Sequence, residues 1–214
     1  IRRLGFDSDN RAVGAALINM YGKCGSLKDA QMVFDDMPKR DVMSWNALMA
    51  AYAQHGFAKE ALNIFSKMLA EGVKPNEITF MSVLSACSHE GLVEMGVQFF
   101  DSMKGVHGIV PGVGHYGCLV DLYARSGHLK KAEDVIKSMP FPPNALIWKS
   151  LFGGCCTYGD IERGRLAVEQ ASRLDLEIDS PYALTSHTHR AKERSFDVSR
   201  VQKRMLETKL HKAF

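Results

Sequence analysis

The strongest constraint on this 214-residue chain is that it repeats itself. The stretch Ala16-Leu-Ile-Asn-Met-Tyr-Gly-Lys-Cys-Gly-Ser-Leu-Lys-Asp-Ala30 returns 102 residues later as Cys118-Leu-Val-Asp-Leu-Tyr-Ala-Arg-Ser-Gly-His-Leu-Lys-Lys-Ala132, and Met37-Pro38 returns as Met139-Pro140. Two further copies lie between them, one through Tyr52, Gly56, Ala61, Phe65 and Met68, the next through Cys87, Gly91, Gly96, Phe100 and Met103. The recurrent glycines 25, 56, 91, 127 and 159 are 31, 35, 36 and 32 residues apart. A period in this range is the signature of stacked supersecondary units.

Each unit reads as two short helices. The first ends near the recurrent Gly, which suits a left-handed helix stop. The second carries Ala, an apolar residue four further on and a Met three beyond that, which is one helical stripe. A turn containing Pro38, Pro75, Pro111 or Pro140 closes the unit. No run alternates with period two, so the expected fold is all-α, a right-handed α-solenoid of helix-turn-helix repeats. One hairpin cannot bury its own apolar face, so each leans on its neighbours.

Composition agrees. Hydrophobic residues at 46% and charged residues at 24% exclude wholesale disorder and collagen. No uninterrupted apolar stretch reaches membrane-spanning length, so no membrane partner is expected. Ile1 in place of a Met suggests a fragment or processed product, with no targeting segment ahead of the folded part. Residues 187–214 hold eight Lys/Arg and three Asp/Glu, whereas the other 186 hold 19 and 21, so a neutral body carries a basic tail. The five cysteines 24, 87, 118, 155 and 156 form no Cys-x-x-Cys and sit in apolar, helix-like runs. They are expected to be buried reduced thiols.

Two families of helical hairpins come into question. Trp45-Asn-Ala-Leu48-Met-Ala-Ala-Tyr52 has the Trp, Leu and Tyr spacing of tetratricopeptide repeats, but those keep a strict 34-residue period. The uneven spacing here resembles the plant pentatricopeptide repeat family of the PLS class, in which short, standard and long motifs alternate. Residues 11–41, with Met-Tyr-Gly-Lys-Cys-Gly-Ser-Leu and Val-Phe-Asp-Asp-Met-Pro-Lys-Arg-Asp, resemble the short motif. Residues 42–76, from Met-Ser-Trp-Asn-Ala-Leu to Glu-Gly-Val-Lys-Pro-Asn, resemble the standard motif. Residues 77–112, with Thr-Phe-Met-Ser-Val-Leu-Ser-Ala-Cys-Ser-His, resemble the long motif, and 113–144, with His-Tyr-Gly-Cys-Leu-Val-Asp-Leu-Tyr, a second short one. Residues 1–10 resemble the end of a preceding long motif. Residues 145–178, with Leu-Ile-Trp-Lys-Ser-Leu and Gly-Asp-Ile-Glu-Arg-Gly, resemble the first C-terminal E motif of that class, and 179–214 a degenerate second one.

The resemblance implies a scaffold for single-stranded RNA, read at one base per repeat by a few side chains. The fifth residue of a motif lies in the first turn of its first helix, and the last residue lies just before the next helix. By this correspondence Asn46 and Asn76 form one base-reading pair, with a preference for a pyrimidine. Met43 and Ile78 would flank the base. The alternative for Asn46 is a plain first-turn Asn satisfied by backbone; the repeat register favours the reading role. The other last positions, Asp41 and Asn144, are paired with Ala15 and Gly117, which offer no hydrogen bond from a side chain. The long motif has Met81 and Gly112, and the first E motif Lys149 and Ile178. Lys23 and Arg125 share a register at the ends of first helices, suited to a phosphate or simply to the helix C-terminus.

No catalytic residue, metal or cofactor is expected. Zinc deaminases need His-x-Glu and Cys-x-x-Cys. None of the eight histidines is followed two residues later by Glu, and no Gly-rich phosphate loop occurs. His187 and His189 lack further spaced ligands. The resemblance therefore implies an organellar RNA-processing factor, for C-to-U editing, with mitochondrial or chloroplast location. Its implied partners are a deaminase-domain protein acting in trans and organellar editing accessory factors. RNA splicing or stabilisation, and peptide binding, are the alternatives.

Overall fold

The computed structural model describes residues 11–178. Expectations placed on 1–10 and on 179–214, including the basic tail and His187 and His189, lie outside the described residues. Among the described residues every regular element is an α-helix: α1 Arg11–Lys23, α2 Leu27–Asp36, α3 Val42–Gln54, α4 Ala58–Ala70, α5 Glu77–Glu90, α6 Val93–Gly105, α7 Val113–Arg125, α8 Leu129–Ser138, α9 Ala145–Tyr158 and α10 Ile161–Ile178.

The glycine register is where the first helix of each pair stops. Gly25, Gly56, Gly91, Gly127 and Gly159 all have φ between 68° and 78°, a region that costs an L residue strain and glycine nothing. The residue after each Gly donates its N–H five residues back: Ser26 to Tyr21, Phe57 to Tyr52, Leu92 to Cys87, His128 to Tyr123 and Asp160 to Cys155, at 2.8–3.1 Å. This is the helix-terminating bond of a Schellman turn. The second helices stop differently. Met37 and Met139 are forced into extended backbone, ψ 122° and 137°, by the prolines that follow them.

The chain divides into two compact units, Ile1–Leu122 and Tyr123–Phe214. In the first, α1, α3 and α5 pack side by side, with α2, α4 and α6 as their hairpin partners. Its core is built from the repeated stripe: Ala30 with Phe34 and Met37, Ala61 with Phe65 and Met68, then Met103. Trp45 stands edge-on to Phe34 at 4.7 Å, and Phe65 contacts both Phe80 and Phe99. Burying each such side chain contributes roughly 1.5–3 kcal/mol.

In the second unit α9 packs on α8 and α10. Glu133 on α8 is buried and accepts hydrogen bonds from Lys137 and, at 2.8 Å, from Arg163 Nε on α10; Arg163 also pairs with Asp160. Those donors, Lys137 first and Arg163 next, hold the Glu133 carboxyl below its ordinary value. A lowered folded-state value means the stabilisation is complete above the ordinary carboxylate range and is lost as pH falls through the folded one. Glu133→Gln should therefore cost about 1–3 kcal/mol at neutral pH. In urea titrations at several pH values, the gap to wild type should close on acidification. A gap that stayed constant would show that the charge plays no part.

Candidate functional site

The two expected base-reading amides meet. Asn46 occupies the first turn of α3 and Asn76 is the residue that caps α5. Asn46 Nδ2 donates to Asn76 Oδ1 at 3.0 Å, and Thr79 Oγ1 donates to Asn46 Oδ1 at 2.7 Å. Asn46 is thus bonded by side chains at the start of α5, not by backbone. It is 5% exposed, whereas Met43 on the same helix and Ile78 beside Thr79 are 57% and 60% exposed. A polar pair recessed beside two protruding apolar side chains can take a flat, hydrogen-bonding ring. Asn76 Nδ2 donates to no protein group among the described residues.

The other expected positions differ. Ala15 is buried, and Asp41 is occupied as the cap of α3: its Oδ1 accepts from the Ser44 N–H at 3.0 Å. Asn144 is the cap of α9 and accepts from the Ile147 N–H at 3.1 Å. Met81 leans over Gly114, where a Cβ would stand 2.8 Å from its sulfur. Gly112 has no capping side chain. There the Gly112 N–H donates to His115 Nδ1 at 3.0 Å, so Nε2 carries the proton and donates to the Glu77 carbonyl at 2.9 Å. Sequence reasoning missed that the last positions Asp41, Asn76 and Asn144 are helix N-caps. Asp41-x-x-Ser44 and Asn76-x-x-Thr79 have the reciprocal spacing that would have shown two of them.

Lys23 and Arg125 lie in the last turns of α1 and α7 and are exposed. Eight residues separate Lys23 from Ala15, about 12 Å along the axis, so Lys23 lies at the opposite end of α1 from the fifth position. The carbonyls beside them serve neighbouring hairpins: His55 Nε2 bonds the Gly22 carbonyl at 2.7 Å, and Tyr158 Oη donates to the Arg125 carbonyl at 2.6 Å. Ser88 Oγ makes a similar lateral link to Asp121 at 2.5 Å.

The cysteine expectation needs correction. Cys87 and Cys155 are buried and Cys118 is half-buried, and desolvation pushes their thiols up to about 11, 12 and 11. Cys24 and Cys156 are exposed. Cys156 follows Cys155 by one residue, and neighbours on a helix point about 100° apart, so both cannot face one core. In the first E-type segment Trp148 and Leu151 are core, whereas Leu146 is 70% exposed. Among the described residues no three His, Cys, Asp or Glu side chains cluster for a metal ion, and no helix is long and apolar enough to cross a membrane.

Known proteins share both the sequence and the fold. A PPR repeat family model matches residues 40–89, and a PPR repeat model matches 16–42, 78–106 and 114–140, together more than half of the chain. A pentatricopeptide repeat-containing protein of Arabidopsis thaliana is 44% identical over 204 residues, 95% of this chain and 44% of its own length. A second from the same plant, named mitochondrial, is 43% identical over 94% of this chain and 30% of its own. A third, named chloroplastic, is 45% identical over 79% of this chain and 23% of its own. The chain thus spans less than half the length of these relatives. Among solved structures, the pentatricopeptide repeat protein PPR10 in complex with an 18-nt psaJ RNA element has a TM-score of 0.69 at 19% identity, covering 76% of this chain and 25% of that one. The PPR domain of Arabidopsis thaliana protein-only RNase P 1 in complex with tRNA has a TM-score of 0.60 at 18% identity, covering 86% and 98%. Glycine-stopped helical hairpins, recurring family matches and shared fold lead to one conclusion: this chain belongs to the pentatricopeptide repeat family.

Proposed function

We propose that the chain is part of a sequence-specific, single-stranded RNA-binding scaffold of organellar RNA processing. The observation that carries this reading is the Asn46–Asn76 pair, two amides 3.0 Å apart recessed beside the exposed Met43 and Ile78. Amides supply both donor and acceptor to a base edge, and apolar side chains hold its faces. Asp41 and Asn144 are weaker base contacts, since their fifth-position partners Ala15 and Gly117 present no polar side chain. Lys23 and Arg125 are candidates for phosphate contact at the far end of the first helices.

The finer reading is C-to-U editing. The order of short, standard, long and short motifs followed by E-type segments supports the PLS class with the boundaries given above. The chemistry would come from a deaminase acting in trans, with organellar accessory factors, in the mitochondrion or chloroplast. Names of the relatives include both organelles.

Fluorescence anisotropy of the full-length protein should show single-stranded RNA binding preferred over duplex RNA and over peptide. Preferred peptide binding would replace the RNA reading with a peptide scaffold. Deleting 179–214 should abolish editing in vivo and leave RNA binding nearly intact. Loss of RNA binding with no separable editing defect would make that segment a structural cap.

A further inference from the structure

Resting on the RNA reading above, we infer that Thr79 is a positioning residue that holds the Asn46 amide in one orientation and thereby sets which pyrimidine it favours. The hydrogen bonds leave a single consistent arrangement. The Thr79 backbone N–H donates to Asn76 Oδ1 at 3.1 Å, which identifies that atom as the oxygen. The Asn76 N–H donates to Thr79 Oγ1 at 3.0 Å, so the hydroxyl proton points elsewhere. It goes to Asn46 Oδ1, the nearer acceptor at 2.7 Å, rather than to Asn76 Oδ1 at 3.1 Å. Asn46 Nδ2 then faces Asn76 Oδ1. Turning the Asn46 amide over would lose its bond to Asn76 and set two amide oxygens against each other 3.0 Å apart. In a nearly buried site that loss is expensive.

The same position elsewhere in the chain supplies the comparison. Ser44, third in the preceding unit, donates to the Asp41 carbonyl at 2.8 Å, opposite Ala15. His115, third in a later unit, donates to the Glu77 carbonyl, with Met81 at the fifth position. Ile147 has no polar side chain at all. Among the described residues, only Thr79 is turned onto a fifth-position amide. The consequence is chemical. Cytosine presents an amine donor beside an acceptor, and uracil the reverse, a carbonyl acceptor beside an N–H donor. An amide free to turn over matches either, whereas a held one matches a single pattern.

The test is selection of a fully randomised single-stranded RNA pool by the full-length protein, sequenced before and after. The column governed by this site is the one whose preference vanishes with Asn46→Ala. At that column Thr79→Val should shrink the ratio between C and U by about fivefold or more, the low end of one base contact. Thr79→Ser should keep the wild-type ratio. Ser44→Ala, which removes the matching capping box but touches no amide, should also keep it. Where valine compromises folding by circular dichroism, Thr79→Cys, with its weaker donor, should still lower the ratio. A wild-type column that Thr79→Val leaves unchanged, or a shift that Ser44→Ala reproduces, overturns the inference and spares the RNA reading. Absence of any enriched column with the wild-type protein overturns both.

Discussion

Gly154→Leu should cost the chain roughly 3 kcal/mol or more of folding stability, the upper range for overpacking. Gly154 lies in α9 against the last turn of α7. A Cβ added there would stand 2.6 Å from the Ala124 carbonyl oxygen and 2.8 Å from Ala124 Cβ. The obstacle is backbone, which cannot rotate away, so the two helices must part. Even Gly154→Ala should destabilise. Its neighbour supplies the control: a Cβ at Gly153 meets nothing within 4 Å. Gly153→Ala should raise stability by about 0.5–1 kcal/mol, the ordinary gain of alanine over glycine in a helix. Urea denaturation of the three variants tests this, and equal effects at 153 and 154 would contradict the packing argument.

The second large effect concerns recognition. In the full-length array, Asn46→Ala should weaken binding of the favoured RNA by roughly 1–3 kcal/mol and relax preference at one nucleotide only. The folded state should tolerate it. Without Asn46, Asn76 Oδ1 still accepts from the Thr79 N–H, and the Thr79 hydroxyl can turn to Asn76 Oδ1, already 3.1 Å away. Asn76→Ala is a poorer probe, because it removes the cap of α5 and about 1 kcal/mol of stability along with any base contact. Binding isotherms against RNAs differing at single positions separate the outcomes. Equal losses on every RNA would indicate a folding defect.

Much of the architecture was legible from residues alone. A glycine that returns every 31 to 36 residues after a short apolar helix has one inexpensive use, a left-handed stop, and all five take it. The Ala-Phe-Met stripe of the second helices marked the core because a helical period allows only one buried face. The pairing of Asn46 with Asn76 followed from repeat register, since a fixed register brings the fifth residue of a unit beside its last, where the next first helix begins.

Other features could not be read that way. Cys24 and Cys156 were expected to be buried yet are exposed: Cys24 lies in the turn after α1, and Cys156 on α9 points away from the side that buries Cys155. Whether Asn46 bonded backbone or side chains depended on Thr79, which is 33 residues away and within hydrogen-bond reach only once α3 and α5 lie side by side. The spacing by itself determined helical hairpins, their stops and their order, because these depend on local φ/ψ preference and on period. Only the tertiary structure decided the orientation of the Asn46 amide and the intolerance of Gly154. Each of these arises from ångström-scale distances between helices, and local preference carries no information about such distances.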